Sequence, residues 1–323
     1  MPGKISEQWN KWLSRKATEA EHFLRKTSFP GFQGVPVWDV ATFFLNEIRR
    51  DRLTVRAAAV SFNFLLAIFP SIIFLFTLIP YIPVQHLDLY ILNTLEEVLP
   101  ESGYLFLEST IRDIVSIKRG GLLSFGFVLA FFFATNGVRG LMLAFNKDHP
   151  IYKRRSFFRG RLAAFRLTFY LFFLFIISII LIIAGDKVVF WFADRIGSLS
   201  SFSILLISVI KWMVILLLFF TGISLIYYYG PSARKRWKFI TPGGTFASIF
   251  SLITSLIFGS FVNNFGLYNQ VYGSIGTLIV LMIWMNLNAF VLLLGFEINN
   301  SIDMNKALAK NGADKNLQSI GVD

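Results

Sequence analysis

Six long apolar stretches divide this chain, at 57–82, 121–145, 162–184, 204–229, 240–262 and 272–298. A helix needs about 20 apolar residues to cross the hydrocarbon core of a bilayer. The pattern therefore predicts six transmembrane helices. The polar intervals between them are unequal in charge. Lys and Arg number ten in 1–56, six in 146–161, four in 230–239 and three after Ile298. The alternate intervals 83–120, 185–203 and 263–271 hold three, two and none. One side thus collects 23 basic residues and the other 5. Cytoplasmic loops carry the excess of Lys and Arg, so both termini are expected in the cytoplasm. Only an even number of spans preserves that alternation.

The flanking segments carry helical patterns of their own. Ile5, Trp9, Trp12, Leu13, Ala17, Ala20 and Leu24 recur at helical spacing among Lys11, Arg15, Lys16 and Arg25. That suits a helix in the headgroup layer or one packed on the end of the bundle. A Gly/Pro-rich break at 31–36 precedes a second, shorter interfacial helix over 37–48. On the opposite side, 83–120 shows two apolar stripes separated by Pro100 and Gly103, which predicts a small helical cap. From Asp303 the sequence is polar and lacks apolar periodicity, so it reads as a mobile tail. The expected organisation is an amphipathic region over 1–56, an all-α bundle of six membrane helices over 57–298, and a polar tail over 299–323.

Composition narrows the possibilities. Of 323 residues, 55% are hydrophobic, 15% are charged and 37 are Phe. Soluble domains run nearer 25% charged. The net charge of +12 follows from membrane orientation and anionic headgroups and requires no nucleic acid. Cysteine is absent, which excludes disulfides and thiolate chemistry. No cleavable signal peptide stands out, since the first apolar run begins only after residue 56. The histidines His22, His86 and His149 lack metal-ligand spacing, and no phosphate-cradling Gly loop occurs. No cofactor is implied.

Polar residues within membrane spans are costly and tend to face protein or water. Arg139 stands out, about six residues or roughly 9 Å from the basic end of the second span. It reads as a cation facing a cavity or as a snorkelling side chain. Glu297, at the same level of the sixth span, is its expected counter-ion. Asn63, Asn136 and Asn286 are candidates to line the same cavity, or to bond between helices. Lys211 and Arg166 read as interfacial. Pro70 removes a backbone hydrogen bond within the first span and, with Pro242 and Gly243 at the start of the fifth, is a candidate hinge. Tyr272 and Gly273 are a candidate external gate.

The run Arg56-Ala57-Ala58-Ala59-Val60-Ser61-Phe62, followed by Ala67-Ile68-Phe69-Pro70, resembles the opening span of the YihY/BrkB membrane proteins. Tyr272-Gly273-Ser274-Ile275-Gly276, Trp284 and Gly295-Phe296-Glu297-Ile298-Asn299 resemble its last span. Asn146 with 154–161 is similar to its second basic loop, and Pro242-Gly243 to its fifth span. The second span departs from the family pattern at Phe131–Phe133 and Asn136. The resemblance implies a bacterial inner-membrane protein, linked in the family to envelope integrity and in some members to lipid or lipopolysaccharide export. The ribonuclease label once attached to that family finds no support here, since nuclease chemistry needs clustered acidic ligands or an acid–base pair. The expectation is a transporter or flippase-like exporter of an amphipathic or anionic component. A non-transporting scaffold is the alternative, with an intramembrane enzyme behind both. Anionic membrane lipids are the expected partners.

Overall fold

The computed structural model describes residues 18–19, 21–50, 52–81, 118–147, 152–153, 155–196, 201–233, 236–263 and 266–319. Side chains are described over the same ranges except 50, 79, 182–196, 201–208, 211, 262–275, 277 and 310–319. The amphipathic pattern in 1–17 and most of the external segment 83–120 lie outside the described residues, as do the side chains of Lys211, Tyr272 and Gly273.

The described chain is helical. A short helix, α1 (Val37–Arg50), precedes six long ones: α2 (Leu53–Leu78), α3 (Gly120–Ala144), α4 (Phe157–Ile196), α5 (Ser201–Tyr229), α6 (Pro242–Asn263) and α7 (Gly266–Ser319). Each of the six contains a stretch long and apolar enough to span a membrane. A lipid-embedded backbone must satisfy its own polar groups, and helices do so within one segment. The outward faces are accordingly apolar, with Phe62, Phe69, Phe132, Phe173, Leu256 and Ile257 exposed.

Close packing rests on small residues, as is usual between membrane helices. Gly126, Ala130, Gly137 and Ala144 are buried along α3. A Cβ at Gly137 would come within 3.0 Å of the Phe64 ring of α2. Pro70 is buried within α2, which continues past it to Leu78. On α6, Thr241 caps the start by accepting from the Gly244 N–H at 3.0 Å.

The basic segments meet at one end of the bundle. Tyr152 bridges to Ala233, and the Lys153 N–H donates to the Ser232 carbonyl at 2.9 Å. Arg155 donates to the carbonyls of Tyr229, Gly230 and Pro231 at 3.0, 2.8 and 2.9 Å. It thus caps the C-terminal end of α5, where unpaired carbonyls concentrate partial negative charge. Burial lowers its pKa from the ordinary guanidinium value, with Arg236 and Arg166 nearby adding to the shift. Arg155→Ala is expected to destabilise the protein by about 1.5–3 kcal/mol, the range for hydrogen bonds to a charged group. Thermal unfolding in a fixed detergent checks this, with Arg155→Lys recovering only part because it lacks the planar fork.

The tail expected to be mobile from Asp303 is instead helical through Ser319. Tertiary bonds hold its first turns. Ile302 is buried with Val35 and Val40, and the Trp237 indole donates to Asp303. Asn305 donates to the Asp39 carbonyl at 3.2 Å, and Lys306 to Gln33 at 2.7 Å. Apolar periodicity missed this segment because its anchors are mostly polar.

Candidate functional site

Three arrangements at the basic end and in the adjoining membrane layer could bear function. The first is an ionic latch. Lys147, just beyond the end of α3, places Nζ 2.8 Å from Glu47 Oε1 of α1 and 2.8 Å from Glu297 Oε1 of α7. The Lys147 side chain is 9% exposed and Glu297 is fully buried. Asn300 donates to Glu297 Oε2 at 3.1 Å and accepts from the Tyr152 hydroxyl at 2.8 Å. Burial raises the Tyr152 pKa well above the ordinary phenol value, and the carboxylates of Asp303, Glu297 and Glu47 push the same way. Tyr152 therefore remains a neutral donor at physiological pH. Around it, Phe296 stacks on Phe145 at 4.7 Å and packs against Trp237 at 5.5 Å. One lysine thus ties together α1, the α3–α4 connection and α7.

The expected pairing of Glu297 with Arg139 is corrected here, because the cation beside Glu297 is Lys147. Sequence placed Glu297 and Arg139 at one depth, but depth does not fix azimuth around the bundle. Lys147, Glu47, Tyr152 and Asn300 were all missed. Lys147 had been absorbed into the topological charge count. Its position at a span end, level with a buried Glu, was the available signal.

The second arrangement surrounds Arg139. Its guanidinium lies 4.6 Å from the centre of the Phe157 ring, and Arg161 lies 6.0 Å from the same ring and 5.7 Å from Phe132. Arg139, Arg155, Asn146, Ser156, Phe157 and Gly160 help line a cleft of about 60 Å³.

The third is a cavity of about 320 Å³ among α2, α3 and α4. Phe64, Phe74, Phe131 and Phe172 contribute apolar walls, with Ser71 and Thr168 among the lining residues. Leu75, Phe127 and Phe175 at its rim are exposed on the outer face of the bundle, so the cavity is approached from the lipid side.

The candidate polar residues are not gathered into one chamber. Asn63 donates to the Ala59 carbonyl at 2.8 Å and packs on Gly140, one turn from Asn136. Asn286 is 11 residues before Glu297 on α7, roughly 16 Å along the helix axis. At Pro242-Gly243 the structure shows close approach to α7. The Gly243 N–H donates to Asn299 Oδ1 at 2.8 Å, and Asn299 donates to Thr241 at 3.0 Å.

The sequence model of the family described as "Virulence factor BrkB" matches residues 44–319. The chain belongs to the BrkB family. Among curated relatives, the ribonuclease-like protein YfkH of Bacillus subtilis (strain 168) is 32% identical over 253 residues, covering 78% of this chain and 91% of that protein. A UPF0761 membrane protein of Tolumonas auensis is 32% identical over 81 residues, 25% of this chain and 27% of its own length. UPF0761 membrane protein PSHAa0171 of Pseudoalteromonas translucida is 31% identical over 81 residues, with the same coverage. No solved structure matches. The match runs from within α1 to the end of α7, so the latch residues Glu47, Lys147 and Glu297 all belong to the BrkB region.

Proposed function

We propose that this BrkB-family membrane protein moves a lipid-like, amphipathic envelope component across the bacterial inner membrane, with both termini in the cytoplasm. The cavity among α2, α3 and α4 carries the reading. At about 320 Å³ it falls within the range of small-molecule sites, and its rim meets the lipid phase. Its aromatic walls suit an acyl chain, while Ser71 and Thr168 offer hydroxyls along the way. Asn63 and Arg139 directly adjoin the lining residues Phe64 and Val138 in sequence, and Pro70 adjoins Ser71. The orientation is supported by the meeting of the described basic segments at one end of the bundle, as the topology rule requires. The reading is non-enzymatic, and the ribonuclease-like name stays with the Bacillus relative.

The test is reconstitution of the purified protein into vesicles carrying a fluorescent phospholipid, with translocation followed by dithionite quenching. Wild-type protein is expected to accelerate translocation over protein-free vesicles. Ala134→Trp, which fills the cavity from α3, is expected to abolish most of that gain while remaining monodisperse. Folded wild-type protein that leaves translocation at the protein-free rate rules the proposal out. A non-transporting scaffold is the second reading. The interlocked basic end favours it, since one buried lysine clamps three elements and α6 packs backbone-to-backbone on α7.

A further inference from the structure

The arginines around Phe157 form a positive cluster that is half sheltered. Arg139 and Arg161 both approach the Phe157 ring, at 4.6 and 6.0 Å. Among the described residues neither has a carboxylate within ion-pair distance. Arg155 closes the other side of the cleft, but its guanidinium is committed to three backbone carbonyls. Three of its five N–H donors are used there, so it contributes mainly positive field. Arg166 and Arg236 are close enough to disfavour its charge further. An unbalanced group of guanidiniums in a partly desolvated place is neutralised most directly by an anion. Guanidinium forks match phosphate oxygens in particular.

Depth indicates the source of that phosphate. Arg139 lies five residues before the end of α3, about 7 Å along the axis. Phe157 and Phe158, at the start of α4, are 57% and 82% exposed. The cleft also takes in Asn146, beyond the end of α3, and Ser156, before the start of α4, so it sits at the span ends, at headgroup level. Its volume of about 60 Å³ exceeds the ~10–15 Å³ that one water requires and suits one small polar group. The apolar cavity lies one turn away on α3, where Met142 lines the cleft and Val138 the cavity. On α4, Arg161 is followed at i+7 and i+14 by Thr168 and Phe175, both lining the cavity, so these residues share one helix face.

We propose that Arg139 and Arg161, both against the Phe157 ring, bind the phosphate of an anionic phospholipid whose acyl chain lies in the cavity among α2, α3 and α4. This deepens the transport reading and rests on it for the use of the cavity. Headgroup selection is measured separately from movement.

The experiment is native mass spectrometry of the full chain in detergent, titrated with phosphatidylglycerol or with phosphatidylcholine of the same acyl chains. Wild-type protein is expected to prefer phosphatidylglycerol. The double variant Arg139→Gln/Arg161→Gln is expected to lose about ten-fold or more of that preference, from the contribution of each basic residue at an anionic surface. Arg139→Lys/Arg161→Lys keeps the charge without the fork and is expected to lose less. It also serves if the Gln pair does not fold. Lys153→Gln removes an exposed charge of the same connection and is expected to leave the preference within two-fold. An unchanged preference in the Gln pair, or in the Lys pair if only that folds, overturns the site. An equal loss in Lys153→Gln overturns it too, because diffuse charge would then account for binding. Displacement of the lipid by inorganic phosphate at comparable concentration would mark a free-anion site and overturn the lipid assignment. A retained preference together with no translocation would sink the transport reading alone.

Discussion

Replacing Lys147 with Met is expected to destabilise the protein by ~3–5 kcal/mol, the cost of breaking a buried ion pair from one side. The size follows from what the substitution leaves behind. Glu297 is fully buried and Glu47 is largely so. Without Lys147, two carboxylates converge on a space from which their shared cation has gone. Desolvation of the charged form and mutual repulsion then add. Glu297→Gln is expected to cost less. Lys147 keeps Glu47 at 2.8 Å, and the Gln carbonyl can still accept the bond that Asn300 donates to Glu297.

The double variant Lys147→Met/Glu297→Gln supplies the decisive comparison. Residues in direct contact show coupling of about 0.5–3 kcal/mol, so the double variant is expected to be more stable than Lys147→Met alone. Thermal unfolding of all four proteins in one detergent measures this. Additive losses would mean that Lys147 and Glu297 do not interact in the folded protein. Chain opening adds a spatial check. The latch joins α1, the α3–α4 connection and α7, so Lys147→Met is expected to raise hydrogen exchange in α1 and in the first turns beyond Glu297, and much less at the Gly126–Ala130 end of α3.

The same residues show what could be read from the chain before its structure was seen. The six spans were legible because apolar run length reports on the bilayer directly. The run at 121–145 became Gly120–Ala144, and 240–262 became Pro242–Asn263. Hydropathy does not report where a helix stops. Backbone hydrogen bonding continues past the apolar run, so α4 reaches 40 residues and α7 reaches 54, and Asp303, Asn305 and Lys306 supply partners where α7 leaves that run. Glu297 could be singled out because an ionised group in a span demands compensation. Its partner could not, because the compensating lysine sits in a connection where every basic residue already had a topological explanation. Tyr152 and Asn300 are separated by 148 positions and carry no local pattern. Arg139 was picked out by its cost in a span, and its aromatic surroundings arise from Phe157, a residue whose only signal was its place at a span end.

Gly243→Ala is expected to destabilise the protein by ~3 kcal/mol, the upper end of overpacking costs. A Cβ on Gly243 would fall on the Gly295 carbonyl oxygen and close to the Asn299 amide. The obstacle is backbone, so no rotamer change relieves it, and α6 must move away from α7. That shift also strains the Gly243 N–H bond to Asn299 and the Asn299 bond to Thr241. Two neighbours on the same helix provide controls. At Gly244 the nearest atom to a new Cβ is the Thr241 hydroxyl at 2.9 Å, a side-chain group that can rotate at the cost of its capping bond. Gly244→Ala should therefore fall between. At Gly259 nothing lies within 4 Å, and Ala is preferred over Gly in a helix by about 1 kcal/mol. Gly259→Ala should be neutral or slightly stabilising. Thermal unfolding of the three variants gives the order. The comparison also separates two uses of Pro242-Gly243. A hinge predicts that Gly243→Ala slows lipid movement at unchanged stability, because the lost property is backbone freedom. Close approach predicts that stability falls first, and that any loss of movement tracks the fraction unfolded.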